Sequence, residues 1–245
     1  MAGMKKIIEC VPNFSEGRNP ENIEKIVAPF RGKKDVKLLD YQTDEDHNRM
    51  VVTVVGEPDG LKAAVIEAVG CAIDVIDMRT HQGQHPRMGA TDVVPFIPIK
   101  DVSVEEAVAF SKEVAKEAAQ KYSLPIFLYE KSASRPERQN LAHIRKGQFE
   151  AMAEKIKQPE WKPDFGPQEI HPSAGVTAMG ARMPLVAYNV NLDSSNMEIA
   201  NDIARKVRNI SGGLRYCKGI GIELKDRGVV QVSMNMTDYT RTALY

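Results

Sequence analysis

Two histidines stand four residues apart in Arg79–Phe96, RTHQGQHPRMGATDVVPF. The spacing of His81 and His85 is that of a helical zinc site, but Gln82 replaces the glutamate of HExxH. Gly83 between them and Pro86 after them also oppose a continuous helix. The other chemistry open to this turn is proton transfer. A polar, Gly/Pro-rich segment at a strand entrance can present an imidazole, which exchanges protons near neutral pH. A histidine that merely shapes the turn is the plain alternative to both. A second group is Asp40 with Asn48 and Arg49. Asp40 ends one expected strand, Arg49 opens the next, and the two can face one cleft across the polar Thr43–Arg49 loop. Arg87, Arg135, Arg138 and Arg182 lie in further loops rich in Gly, Pro and Ser. Guanidinium groups in such loops suit bidentate binding of a substrate with several carboxylates.

Other motifs carry less. Gly175–Arg182 has phosphate-loop spacing without the Lys and the Ser/Thr that hold phosphate and magnesium. Gly219-Ile220-Gly221 lacks the third glycine of a dinucleotide fingerprint. There is no GxSxG, and Cys10, Cys71 and Cys217 form no CxxC pair, so neither a disulfide framework nor a thiolate metal site is expected. A reducing cytoplasm is the plain reading of those thiols. Trp161 and Phe165, among prolines, can stack on a planar ring or pack against their own domain.

The elements that must position these residues follow from periodicity and caps. With 33 basic and 33 acidic residues in 245, the formal charge is zero, which argues against general nucleic-acid or membrane-surface binding. No apolar run reaches the ~18 residues of a membrane span, and the N-terminus carries no signal-peptide pattern. Strands are expected at Lys5–Val11, Val36–Tyr41, Met50–Gly56, Val93–Ile99 and Pro125–Tyr129, with Pro95 and Pro98 pushing the fourth to a sheet edge. Helices are expected after the Asn19-Pro20-Glu21 cap, after Asp59, and after a Ser103/Glu106 capping box. A further helix over Glu137–Ile156 is weakened at Gly147. Gln158–Gly180, with four prolines and three glycines, reads as a linker or binding loop. Beyond it come strand Leu185–Asn191, a helix from Ser195 boxed with Glu198, and strands Gly219–Leu224 and Val229–Met236. The order is β-α-β-β-α-β, then β-α-β-β. The fold class expected is α+β, with two ferredoxin-like subdomains over residues 1–180 and 181–245, the second apparently incomplete.

Four strings carry a resemblance. ECVPNFSEGRN at Glu9–Asn19, HPRMGATDVVPFIP at His85–Pro98, LYEKSASRPERQNLAHIRKGQFE at Leu128–Glu150, and DFGPxxxxPSxGxTxxGAR at Asp164–Arg182 resemble the formiminotransferase family. The resemblance runs from about residue 5 to the C-terminus. It implies transfer of the formimino group of N-formiminoglutamate to N5 of tetrahydrofolate, as co-substrate and without a metal, in histidine degradation. It implies a substrate tunnel between two α+β subdomains, a homodimer, a cytoplasmic enzyme and a cyclodeaminase partner, and relatives that continue past Tyr245. The catalytic histidine falls on His85, as general acid/base. The folate loop falls on Gly166, Pro167, Gln168, Glu169, Ile170, His171, Pro172, Ser173, Ala174 and Gly175. Asp40 is placed to stabilise the cationic formimino group. With Asn48 beside them, Arg49, Arg87 and Arg182 are candidates for the glutamate carboxylates or the folate tail. Two departures stand out: Gln84 where relatives carry Glu, which bears on the histidine's pKa, and Ala174 where they carry Trp, which bears on pterin packing. Formiminoglycine or formyl transfer, and folate binding without catalysis, are the rival readings.

Overall fold

The computed structural model describes residues 5–224 and 227–243. The chain divides into two compact α+β units, Met1–Arg182 and Met183–Tyr245. Among the described residues no helix is long and apolar enough to cross a membrane.

The first unit is built on one mixed sheet. Its strands are β1 (Ile7–Cys10), β2 (Asn13–Phe14), β3 (Val36–Asp44), β4 (Arg49–Gly56), β5 (Thr91–Lys100), β6 (Ile126–Leu128) and β7 (Thr177–Ala181). β1 and β2 are successive pieces of one line between β4 and β5, antiparallel to both. They part at Val11-Pro12, where the proline has no N–H to give a ladder. β3 flanks β4, while β7 and then β6 extend the other side in parallel. Helices α1 (Pro20–Val27), α2 (Pro58–Val75) and α3 (Val104–Tyr122) cover one face. There Ile26, Leu61, Val65, Val114 and Ala118 join Ile8, Met50, Val52, Val54 and Phe96 in the main core. β4 shows why the chemistry goes elsewhere. Strand alternation buries Met50, Val52 and Val54 under the helices and turns Arg49, Val51 and Thr53 to the opposite face. On that face α4 (Leu141–Arg145) and α5 (Gln148–Lys155) cover β5, β6 and β7 through Ile144 and Met152.

Several expectations hold. Asn19 caps α1 through its side chain, and Ser103 and Glu106 form a reciprocal capping box on α3. Gly147, at φ +87°, splits the fourth helix into α4 and α5. Others need correction. α2 starts at Pro58, with Glu57 rather than Asp59 at its N-cap, because proline suits the first helical turn. β5 is an interior strand despite Pro95 and Pro98. Pro95 keeps its place as an acceptor, its carbonyl taking the Val11 N–H at 3.2 Å. Pro98 lies beyond the stretch paired to β7, so only one neighbouring strand meets it. Gln158–Gly180 is no linker: Thr177–Ala181 is β7, buried along its whole length between β5 and β6. A strand buried on both faces shows no alternation to read.

Arg138, expected to face a substrate, is instead the largest fully buried side chain. Its guanidinium donates to Asp164 Oδ2 at 2.8 Å and to the Glu160 and Lys162 carbonyls at 2.9 and 2.7 Å. It lies over the rings of Phe127 and Trp161. Trp161 thereby packs on its own unit, edge-on to Phe127 at 6.2 Å.

The second unit has β8 (Val186–Leu192), α6 (Met197–Val207), β9 (Cys217–Leu224) and β10 (Val229–Met236). Its antiparallel sheet has β10 in the middle, with Val230 and Val232 packed on Ala200 and Ala204 of α6. The N-cap is Asn196, not Ser195, because the Asn196 side chain accepts from the Glu198 N–H at 2.9 Å.

Replacing Arg138 with Met leaves the largely buried Asp164 carboxylate without its cation, with the Leu128 N–H as its remaining described partner. R138M is expected to lose about 3–5 kcal/mol of stability, the usual result of breaking a buried ion pair from one side. Urea unfolding checks this, and a loss below ~1 kcal/mol would show that Arg138 is not a structural brace.

Candidate active site

The segment between α2 and β5 carries both histidines, and it is not a helix. It lies against the hairpin between β3 and β4, where a Cβ on Gly83 would come within 2.2 Å of the His47 carbonyl oxygen. Only glycine allows that approach. Asn48 fastens the two segments. Its side chain accepts from the Gly17 N–H at 3.0 Å and donates to the Gln82 carbonyl at 3.0 Å. Its own carbonyl meets His81 Nε2 at 3.0 Å. The Gln84 N–H adds a bond to the Asp46 carbonyl at 3.1 Å, while the Gln84 side chain is exposed.

His81 has no ring nitrogen left for a ligand. Arg87 Nε donates to His81 Nδ1 at 3.3 Å, so Nδ1 is the acceptor and Nε2 carries the proton given to Asn48. Arg87 is equally committed. Beyond Nε, its Nη1 donates to Gln148 Oε1 and Glu150 Oε2 at 3.0 and 2.9 Å. Its Nη2 donates to the His81 carbonyl and Glu150 Oε1 at 3.2 and 2.6 Å. All five guanidinium donors are thus taken by protein. Arg87 braces the turn from α5.

His85 is held differently. It shares a crevice with Phe14, Ser15, His47, Asn48, Arg49, His81, Arg87 and Asp92. The His47 ring stands edge-on to it at 5.9 Å. His47 is itself fixed by Asp44, which accepts from its N–H and pairs with its Nδ1, both at 2.7 Å. Partial burial first, then the Arg49 and Arg145 guanidinium groups, push the His85 imidazole down to about 4. It is therefore unprotonated at neutral pH.

Asp92 anchors the rest of this corner. β5 carries a bulge here: Val93 faces Asn13 and Thr91 faces Phe14, leaving Asp92 with no residue opposite. A bulge re-aims a side chain in this way. Only 3% exposed, Asp92 accepts from the Met88 N–H at 2.9 Å and pairs with Arg145 Nη2. Burial pushes its carboxyl up, against the pull of Arg145. Arg49 comes from the start of β4 and donates through Nη2 to Asn13 Oδ1. The Nε atoms of Arg49 and Arg145 are both buried without a hydrogen-bond partner. Arg49 also feels Asp44, its partner across the β3–β4 ladder, so two carboxylates act on the two guanidinium groups.

Larger cavities flank it. One of 540 Å³ is lined by residues including Ser15, Asn48, Asp77 and His81. Another of 310 Å³ is lined by His81, Arg87, Phe149, Glu150 and Ile170, among others. The structure thus brings His85, Asn48, Arg49 and Arg87 together. Asp40 is not among them: it is exposed on β3, hydrogen-bonded to Gln42 at 3.0 Å, and lines none of these three spaces. Arg182 follows β7, gives its N–H to the Phe96 carbonyl at 2.9 Å, and lines none of them either.

In the 166–175 loop, Ile170 alone reaches a wall of those cavities. Gly166 and Gly175 take positive φ, and Gln168 ties to the Ile156 carbonyl at 3.2 Å. His171 Nδ1 accepts from the Ala174 N–H at 3.0 Å, and Ala174 is buried. Ser173 gives its carbonyl to the Met78 N–H at 2.7 Å. Gly166, Pro167, Gln168, Glu169, His171, Pro172, Ser173, Ala174 and Gly175 therefore shape this segment without lining the described cavities. Sequence reasoning missed Asp92, Arg145, His47 and Glu150. One signal was readable: Asp92 opens the apolar run VVPFIPI, where a charge needs a partner.

Comparisons with known proteins agree along the chain. The N-terminal subdomain of the formiminotransferase domain matches residues 7–182, and the formiminotransferase domain matches residues 187–245. The chain is similar to a glutamate formimidoyltransferase of Streptococcus pyogenes serotype M1, 54% identical over 99% of this chain and 81% of that protein. It is 42% identical to a glutamate formimidoyltransferase of Thermoplasma acidophilum, over 98% of this chain and 79% of that one. A formimidoyltransferase-cyclodeaminase of Rattus norvegicus is 43% identical over 99% of this chain and 46% of its own length.

An NMR titration is expected to place the His85 midpoint near 4, and R49Q to move it up toward the ordinary imidazole value of ~6.5. Because the folded state then binds fewer protons than the unfolded chain between those values, His85 makes stability rise with pH across that window. H85Q should flatten this part of the pH–stability curve. A midpoint near 6.5 in the unaltered protein would remove the electrostatic account of the site.

Proposed function

This chain belongs to the formiminotransferase family, and from that premise we propose that His85 is the proton-transfer group of a glutamate formimidoyltransferase. The enzyme moves the formimino group of N-formiminoglutamate to N5 of tetrahydrofolate, its co-substrate. The observation that carries the role of His85 is its place in a crevice shared with His47, Asn48 and Arg49.

The chemistry needs one group that takes a proton and returns it. N5 attacks the amidine carbon, forming a C–N bond and a tetrahedral intermediate. N5 becomes cationic and loses its proton to the His85 imidazole. His85 then delivers that proton to the glutamate nitrogen as the original C–N bond breaks, releasing glutamate and 5-formiminotetrahydrofolate. One neutral histidine satisfies both steps. Holding both substrates in one site removes much of the entropic barrier to their meeting.

Other parts of this reading rest on support of a coarser kind. The four antiparallel neighbours β3-β4-β1-β5 and the β8-β10-β9 sheet support ferredoxin-like subdomains. Ile170, on the wall of the 310 Å³ cavity, supports the 166–175 loop as the folate side. The three unpaired cysteines support a reducing, cytoplasmic setting. A homodimer belongs to the same proposal. Relatives whose names join formimidoyltransferase to cyclodeaminase support a cyclodeaminase as functional partner.

H85A is expected to retain tetrahydrofolate binding and to lose about 10²–10⁴-fold in turnover, the usual contribution of a positioned acid/base. The assay follows 5-formiminotetrahydrofolate formation, with formiminoglycine as the comparison donor. Turnover within tenfold of the unaltered protein would exclude His85 from proton transfer.

A further inference from the structure

The arginines near the histidines divide by how much of their hydrogen-bonding capacity the protein fills. Arg87 has five donors and five protein contacts. Arg49 and Arg145 each make a single described side-chain hydrogen bond, to Asn13 and Asp92 respectively. Each also keeps a buried Nε with no described partner, a feature that the structural Arg138 shares. Both guanidinium groups act electrostatically on His85, and Asp92, which holds Arg145, lines the same crevice as His85 and Arg49.

We infer that Arg49 and Arg145 form a two-guanidinium receptor for a carboxylate of the amino-acid donor, with Asp92 as the positioning residue that holds Arg145. The identification of that carboxylate with formiminoglutamate rests on the formimino-transfer reading; the receptor itself does not. Carboxylate fits the donor set because a planar anion with two oxygens matches guanidinium N–H pairs, and two such groups favour a donor with more than one carboxylate. Arg145 sits at the last residue of the short α4, and Gly147 turns the chain into α5 immediately after it. Its side chain is 18% exposed, while that of Asp92 is 4% exposed, so Asp92 fixes the guanidinium from the buried side.

The receptor also acts on the histidine. A carboxylate between Arg49 and Arg145 cancels part of the positive field that disfavours the imidazolium. The groups facing His85 are then His47, Arg49, Arg145 through Asp92, and the incoming anion. Donor binding thereby makes His85 a better base when a proton has to be taken.

The test uses this chain and glutarate, a dicarboxylate that cannot react. Calorimetry is expected to show glutarate binding that R145Q weakens by at least about thirty-fold, as for loss of one partner in a charge-paired contact. D92N/R145Q, which removes both charges together, gives the same loss and avoids a lone buried carboxylate if R145Q fails to fold. Saturating glutarate raises the His85 NMR midpoint in the unaltered protein but not in either variant. In turnover, the KM for formiminoglutamate rises in D92N/R145Q while that for tetrahydrofolate stays within twofold. Equal glutarate affinity in the unaltered and variant proteins, no glutarate binding at all, or a rise in the tetrahydrofolate KM instead would overturn the receptor. Glutarate binding lost in the variants, in a protein that transfers no formimino group, would uphold the receptor and sink the transferase reading.

Discussion

A carboxylate almost without solvent has to be held by charge and hydrogen bonds, and Asp92 is the point on which this site depends. The β5 bulge takes it out of register with β2, one oxygen receives the Met88 N–H, and the other holds Arg145. That arrangement joins the interior of the sheet to α4 and to the segment that carries His85. Arg145 then adds to Arg49 in setting the field at the imidazole. The charge field at His85 is thus set in part from the interior of a strand.

The two histidines divide the work by their neighbours. His81 is closed by Arg87 on one nitrogen and by the Asn48 carbonyl on the other, so it supports the turn. His85 lies a few residues on, against His47, where partial burial first and then cationic neighbours keep it neutral. Arg87 and Arg138 show the same division among the arginines. Each is held by protein acceptors, the first bracing the histidine-bearing turn and the second joining Asp164 to the segment before β7. An arginine in a Gly/Pro-rich loop is therefore no guide to substrate contact until its partners are counted.

Much of the fold was legible because it rests on local physics. Asn19, the Ser103/Glu106 box and Gly147 act through their own turns, so the spacing of residue types identifies them. β7 was not legible: its small residues, TAMGA, are buried on both faces and leave no alternation. The interior place of β5 was hidden for a related reason. Its prolines are tolerated only because Pro95 still accepts a bond and β7 does not reach Pro98, both facts about neighbouring strands.

The sequence by itself determined the α+β element order, the motifs that resemble the formiminotransferase family, and His85 as the proton-transfer candidate. These depend on residue types at short spacing. Only the tertiary structure decided which charges meet. It set Asp40 apart on β3, gave Arg87 to Glu150, and brought Arg145, from the end of α4, to Asp92. The physical reason is that charge–charge contacts depend on distances in space. Those distances are set by a strand bulge, a glycine that lets two loops touch, and a helix break, each linking residues far apart along the chain.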